Sequence, residues 1–200
     1  MSRSPTILLC LGAVLCGSIS WAHKTGARSP AETGKPLARY TPTVRLVEQS
    51  LPSVASIQTL QVQDTPGIFN MAVGSASVIH RDGYLLTNEH VLFRMHQGEV
   101  LLWDRPQLPF RIISKMSSED LALIKVEAGE PLKPLPIGRS DDLMLGEPVL
   151  IIGNPGGLIH SVSTGIVSGL NRSTALGGVF LPRMVQTSAA VSGGNSGGPL

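Results

Sequence analysis
Charge is sparse and nearly balanced in this chain of 200 residues. Only 15% are Asp, Glu, Lys or Arg, and the formal net charge is +2. No basic run is long enough to track a nucleic-acid backbone or an anionic membrane surface, so electrostatics names neither as a partner. Cysteine is almost missing. The two present, Cys10 and Cys16, both lie near the start and both follow a leucine. A lipoprotein attachment site prefers a small residue there, which argues against lipid attachment. Long apolar runs are also missing. The longest, Ile7 to Ile19, is about a dozen residues, too short to span a bilayer comfortably. No His-Glu-x-x-His occurs: Asn88-Glu89-His90-Val91 has one histidine, and with so few cysteines the ligand set for a metal is thin. No metal or cofactor is implied.

What is present starts with an export signal. Arg3 precedes the apolar run, and Ser20-Trp21-Ala22 places small residues where signal peptidase cuts. Residues 1–22 therefore read as a signal peptide cleaved after Ala22, with an uncleaved anchor as the alternative. Cleavage leaves a chain with no cysteine, which cannot rely on disulfides in a compartment that permits them. That suits a periplasmic or secreted protein of a bacterial envelope, with no stable membrane span once the signal is removed.

Residues 23–42 are polar and rich in Gly, Pro, Ala and Thr, the composition of a flexible linker. Val44, Val47 and Leu51 then recur at helical spacing, which predicts a short amphipathic helix over Thr43–Leu51, ended by Pro52. Strands follow at Ser53–Val62, Val73–His80, Tyr84–Asn88, Glu99–Trp103, Phe110–Ser114 and Leu121–Val126. These are about six, the count for one small closed barrel. Arg81-Asp82-Gly83 marks a tight hairpin between two of them. Residues 129–148 break the rhythm with four prolines and read as a crossover. Strands resume at Val149–Ile152, Ser161–Leu170 and Val179–Thr187. Gly153-Asn154-Pro155-Gly156-Gly157 lacks the Lys-Ser/Thr and the helix of a phosphate loop, so it reads as a turn. The expected fold is all-β and antiparallel, with one barrel over residues 43–128 and the strands of a second over residues 149–200.

The chemistry centres on Gly194-Asn195-Ser196-Gly197-Gly198-Pro199-Leu200. A serine set among glycines costs backbone entropy on folding, and a polar surface turn is the bland explanation. An acyl-transfer site needs such a turn, because backbone N–H groups must meet the developing oxyanion. Gly194 and Ser196 are the expected N–H donors. A serine hydroxyl also needs a base, and the base needs a carboxylate to fix its tautomer. His90 and Asp120 stand upstream, each at the mouth of an apolar run. Asp82, Asp104 and Glu119 are the rival acids, while His23, His80, His96 and His160 read as structural or exposed. The Gly-x-Ser-x-Gly pattern also fits an α/β-hydrolase elbow, but those enzymes place acid and histidine after the serine, and four residues follow it here. The order His90…Asp120…Ser196 is the chymotrypsin order.

Several stretches resemble the HtrA (Deg, DegP-like) family of serine proteases: Gly83-Tyr84-Leu85-Leu86-Thr87-Asn88-Glu89-His90-Val91, Asp120 to Val126, Gly146 to Pro155, Thr164-Gly165-Ile166-Val167-Ser168 and Gly194 to Leu200. The resemblance implies a chymotrypsin-like fold of two six-stranded antiparallel barrels, the second (residues 149–200) incomplete and truncated at the C-terminus, a His90–Asp120–Ser196 triad, and ATP-independent cleavage of unfolded or misfolded envelope polypeptides. It implies a homotrimer in many members, and PDZ domains in most. This chain departs at Val191-Ser192-Gly193-Gly194, where the family usually has Asn-Pro-Gly, at Ser188 in place of an aspartate, and at Ala76 in place of a glycine. A non-catalytic peptide-binding or chaperone-like relative, or an inactive fragment without the closing strands, is the alternative.

Overall fold
The computed structural model describes residues 39–200 except 66, 177 and 178. The expected signal peptide and most of the linker lie outside the described residues. Helix α1, Pro42–Ser50, begins where Thr41 accepts the Val44 N–H on its side-chain oxygen at 3.3 Å and Pro42 supplies a preset first turn. None of its residues is fully buried. Val44 and Val47 are half-buried, so the helix rests on the surface by the expected stripe and does not enter the core.

Six strands then close a barrel: β1 Val54–Val62, β2 Phe69–His80, β3 Tyr84–Thr87, β4 Met95–Leu102, β5 Leu108–Met116 and β6 Leu121–Val126, in the order β1-β2-β3-β6-β5-β4. Every pairing is antiparallel. Alternation along the strands fills the interior with Ile57, Val78, Leu85, Val100, Ile124 and Val126, none of which is exposed at all. The β2–β3 turn needs its glycine twice over. Gly83 has φ +90, and a Cβ there would lie 2.3 Å from the Val126 carbonyl oxygen. The crossover is strapped to this barrel, with Leu132 N–H on Arg81 O at 2.8 Å and Leu135 N–H on Val78 O at 2.9 Å.

After the crossover, β7 Pro148–Gly153, β8 Ser161–Leu176 and β9 Val179–Thr187 form a three-stranded antiparallel sheet, order β7-β8-β9. The first expected barrel is therefore present, and the second region is a sheet. Several strands run further than the apolar pattern indicated. β2 starts at Phe69 because it pairs with β1 out to Val62. β8 runs past Leu170 through polar residues, since its partner β9 supplies the ladder despite register shifts around Arg172. Between α1, β2, β3, the crossover and β7 lies a mainly apolar cleft of about 850 Å³, with Gly197–Leu200 on its wall.

Candidate active site
β3 ends at Thr87, and a 3-10 turn over Glu89–Leu92 follows. Val91 and Leu92 of that turn are buried. Val91 seats against β2 where Gly74 leaves room; a Cβ on Gly74 would meet a Val91 methyl at 2.6 Å. Anchoring these two apolar residues leaves the preceding His90 facing outward, with its side chain 51% exposed.

Asp120 lies just before β6, at the end of a second 3-10 turn over Ser117–Glu119, in left-handed backbone (φ 50, ψ 45). This unusual conformation for a non-glycine residue brings both its carboxylate and its carbonyl to the His90 turn. Oδ2 is 2.7 Å from His90 Nδ1, and Oδ1 accepts the His90 backbone N–H at 2.9 Å. The Asp120 carbonyl accepts Glu89 N–H at 3.1 Å and Asn88 Nδ2 at 2.8 Å. With the Nδ1 proton directed to the carboxylate, Nε2 is the nitrogen left free to act as a base.

Ser196 sits in a turn built around Gly194 (φ +102) and Gly197 (φ +83). Asn195 N–H goes to Ser192 O at 3.1 Å and Gly198 N–H to Asn195 O at 2.9 Å. The N–H groups of Gly194 and Ser196, the two expected oxyanion donors, donate to no described residue. Ser196 Oγ likewise makes no hydrogen bond to His90 among the described residues; such bonds are often long before substrate binds. The turn packs on β2 and β3. Ser75 N–H donates to Ser196 O at 2.8 Å, and a Cβ on Gly197 would lie 3.0 Å from Thr87 Cα, three residues before His90.

The rival acids fall elsewhere. Asp82 lies on the β2–β3 turn, 3.5 Å from His80. Glu119 is exposed on its turn, and Asp104 belongs to the turn after β4. His96 packs on Phe69, and His160 packs edge-on against Trp103 while its Nε2 meets Val54 O at 3.1 Å. Burial outweighs that hydrogen bond and lowers the His160 pKa below the ordinary imidazole range. Among the described residues no cluster of three or more His, Cys, Asp or Glu could hold a metal, and no helix is long and apolar enough to cross a membrane.

Three supporting residues were not singled out from sequence: Asn88, Ser75 and Asn154. Asn154 is fully buried, bonding Ser56 Oγ at 2.5 Å through Nδ2 and Gly194 O at 3.3 Å through its N–H. The available signals were faint: the run Gly74-Ser75-Ala76-Ser77 of small residues inside a strand, and a lone Asn opening a glycine loop.

A trypsin-like peptidase domain model matches residues 74–200. "Protease Do-like 1, chloroplastic" of Arabidopsis thaliana is 35% identical over 205 residues, covering 94% of this chain and 47% of the relative. A "Probable periplasmic serine endoprotease DegP-like" of Pseudomonas fulva (strain 12-X) is 44% identical over 129 residues, covering 64% of this chain and 26% of that protein. The solved structure "HtrA-type protease AlgW with tripeptide" superposes with TM-score 0.70 at 32% identity, over 79% of this chain and 50% of that one. The chain thus spans about half the length of the first relative and about a quarter of the second. The matched residues include Ser75, His90, Asp120 and Ser196, and the chain belongs to the HtrA/DegP family of trypsin-like peptidases.

Proposed function
We propose that this chain is the catalytic part of an exported, ATP-independent serine endoprotease acting on unfolded or misfolded polypeptides of the cell envelope. The two-point hold of Asp120 on His90, at 2.7 and 2.9 Å, is the observation that carries this reading. In it, Ser196 Oγ attacks the scissile carbonyl as His90 Nε2 takes its proton. Asp120 stabilises the imidazolium. The N–H groups of Gly194 and Ser196 receive the oxyanion. His90 then returns the proton to the departing amine, leaving an acyl-enzyme that water hydrolyses by the same steps in reverse.

The finer parts of the reading rest on sequence and on the relatives. Residues 1–22 export the chain and residues 23–42 link it to the domain. The periplasmic address follows the names of the bacterial relatives. The three-stranded sheet belongs to the second barrel, and its Leu150 and Ile152 line the cleft it shares with α1, β2 and β3. Assembly into trimers follows the family resemblance.

The test is covalent labelling. A fluorophosphonate probe should add once to the native protein, at Ser196, and Ser196→Ala should abolish both the adduct and casein cleavage while leaving the thermal melt unchanged. Undiminished cleavage by Ser196→Ala would sink the assignment. A native protein that takes no adduct would favour the non-catalytic peptide-binding alternative.

A further inference from the structure
The Gly194 carbonyl accepts hydrogen bonds from both halves of the molecule. Ser75 Oγ, from β2 of the barrel, reaches it at 2.8 Å; Asn154 N–H, at the end of β7, reaches it at 3.3 Å. Ser75 holds the turn at a second point, its N–H on Ser196 O at 2.8 Å. Its own carbonyl is held in turn by Thr87 Oγ1 at 2.7 Å. Ser56, the cross-strand partner of Ser75 on β1, accepts Asn154 Nδ2 at 2.5 Å. Two paired serines of one barrel wall thus reach across to the same carbonyl, one directly and one through Asn154.

A buried hydroxyl is a poor choice for a barrel wall unless it is bonded. Ser75 is wholly buried on the face of β2 opposite to Ala76 and Val78, which serve the core without polar atoms. Its hydroxyl does nothing for its own sheet. The two peptide units it grips, Gly194–Asn195 and Ser196–Gly197, flank the unit that carries the Ser196 N–H. Fixing both neighbours fixes the direction of that N–H.

We propose that Ser75 is a positioning residue for the oxyanion hole, with Ser56 and Asn154 as its support from the opposite side. The proposal rests on the catalytic reading above, because the aim of the Ser196 N–H matters only if an oxyanion forms there. Preorganised donors are worth 10²–10³ in rate each, so a donor that is kept but loosely aimed should lose about tenfold.

The experiment compares wild type, Ser75→Ala and Ser75→Cys. Ser75→Ala removes the hydroxyl and keeps the backbone N–H; Ser75→Cys conserves the side-chain shape with a weaker donor. Labelling by a fluorophosphonate forms the Ser196 Oγ–P bond and expels fluoride, with the hydroxyl proton passing to His90. Its phosphoryl oxygen occupies the oxyanion position. In Ser75→Ala the maximal labelling rate should fall about tenfold with the probe's half-saturating concentration unchanged. A peptide trifluoromethyl ketone should weaken by the same factor, and Ser75→Cys should fall between. A residue needed only for folding would lower the melting temperature and leave the labelling rate of the folded fraction at the wild-type value, which overturns the proposal. If Ser75→Ala does not fold, a Ser75→Cys rate equal to wild type overturns it equally. Wild type that takes no label overturns the catalytic reading itself, an outcome distinct from labelling that is indifferent to Ser75.

Discussion
Asp120 grips His90 at two points, the ring through Nδ1 and the backbone through its N–H, using one carboxylate oxygen for each. The second contact has a consequence for stability as well as chemistry. It caps the 3-10 turn that presents His90, so in the proposed mechanism Asp120 would fix both the tautomer of His90 and the place where it stands. The Asp120 side chain is only 21% exposed, against 51% for His90, so the carboxylate is the more sheltered member of the pair.

Asp120→Asn therefore separates the two roles. The amide can still accept the His90 N–H, so the melting temperature should move little. The negative charge that stabilises an imidazolium is lost, and hydrolysis should fall by about 10³–10⁴. Asp120→Ala should lose the same activity and about 1–2 kcal/mol of stability besides, since it leaves the His90 N–H unpaired. Equal melting curves for the Asn and Ala variants would refute the capping role.

Neighbouring glycines in the Ser196 turn should respond in opposite ways. A Cβ on Gly194 would stand 2.0 Å from the Asn154 carbonyl oxygen, at φ +102, so Gly194→Ala must push the turn away from its support. Gly193 has open space around its missing side chain and no positive φ. Gly193→Ala should be neutral or stabilising by about 0.4–1 kcal/mol, through the unfolded chain. Gly194→Ala should lose several degrees of melting temperature and most fluorophosphonate labelling. Matching losses in the two variants would mean that the turn is not held against Asn154.

How much of this could be read in advance depends on where the signal lies. The first barrel is legible because short, mainly apolar runs such as Val73–His80, Tyr84–Asn88 and Leu121–Val126 follow one another, with Asp82-Gly83 marking a tight turn between the first two. The His90–Asp120 contact is legible as chain order plus two strand ends. Ser75, Asn154 and Asn88 are not. Their roles come from tertiary approach between segments far apart in sequence, Ser75 to Gly194 across 119 positions, and serine or asparagine in a strand or loop has ordinary local explanations. The long polar reach of β8 is hidden for a similar reason: its order comes from β9, not from its own pattern.

Leu85 and Ile124 face each other across β3 and β6 and are both fully buried. Truncating either to alanine should cost about 2–5 kcal/mol, the range for a large-to-alanine change in a packed core. Because they are register partners, the double variant should be less damaging than the sum, since the second truncation enlarges a cavity whose contacts are already partly lost. Urea unfolding of the two single variants and the double variant measures the coupling directly. Strict additivity would mean that the two side chains do not share a packing environment.

His160 provides the pH dependence. It sits at φ 58 in the loop between β7 and β8, half-buried against Trp103 and Val54. Desolvation lowers its pKa, with the Val54 carbonyl opposing more weakly. The folded chain therefore binds fewer protons at this imidazole than the unfolded chain does. Stability from this source is complete above the unfolded value, about pH 6.5, and falls away as pH drops from there toward the lower folded value. His160→Asn keeps a residue that tolerates left-handed backbone and removes the titration. Its melting temperature should start lower, because the Trp103 contact is lost, but should decline less than wild type between about pH 6.5 and pH 5. The two proteins differ at this residue alone, so the difference between the two slopes isolates His160. Parallel slopes would mean that the ring is solvated in the folded state and that the loop between β7 and β8 is not pinned to the barrel through it.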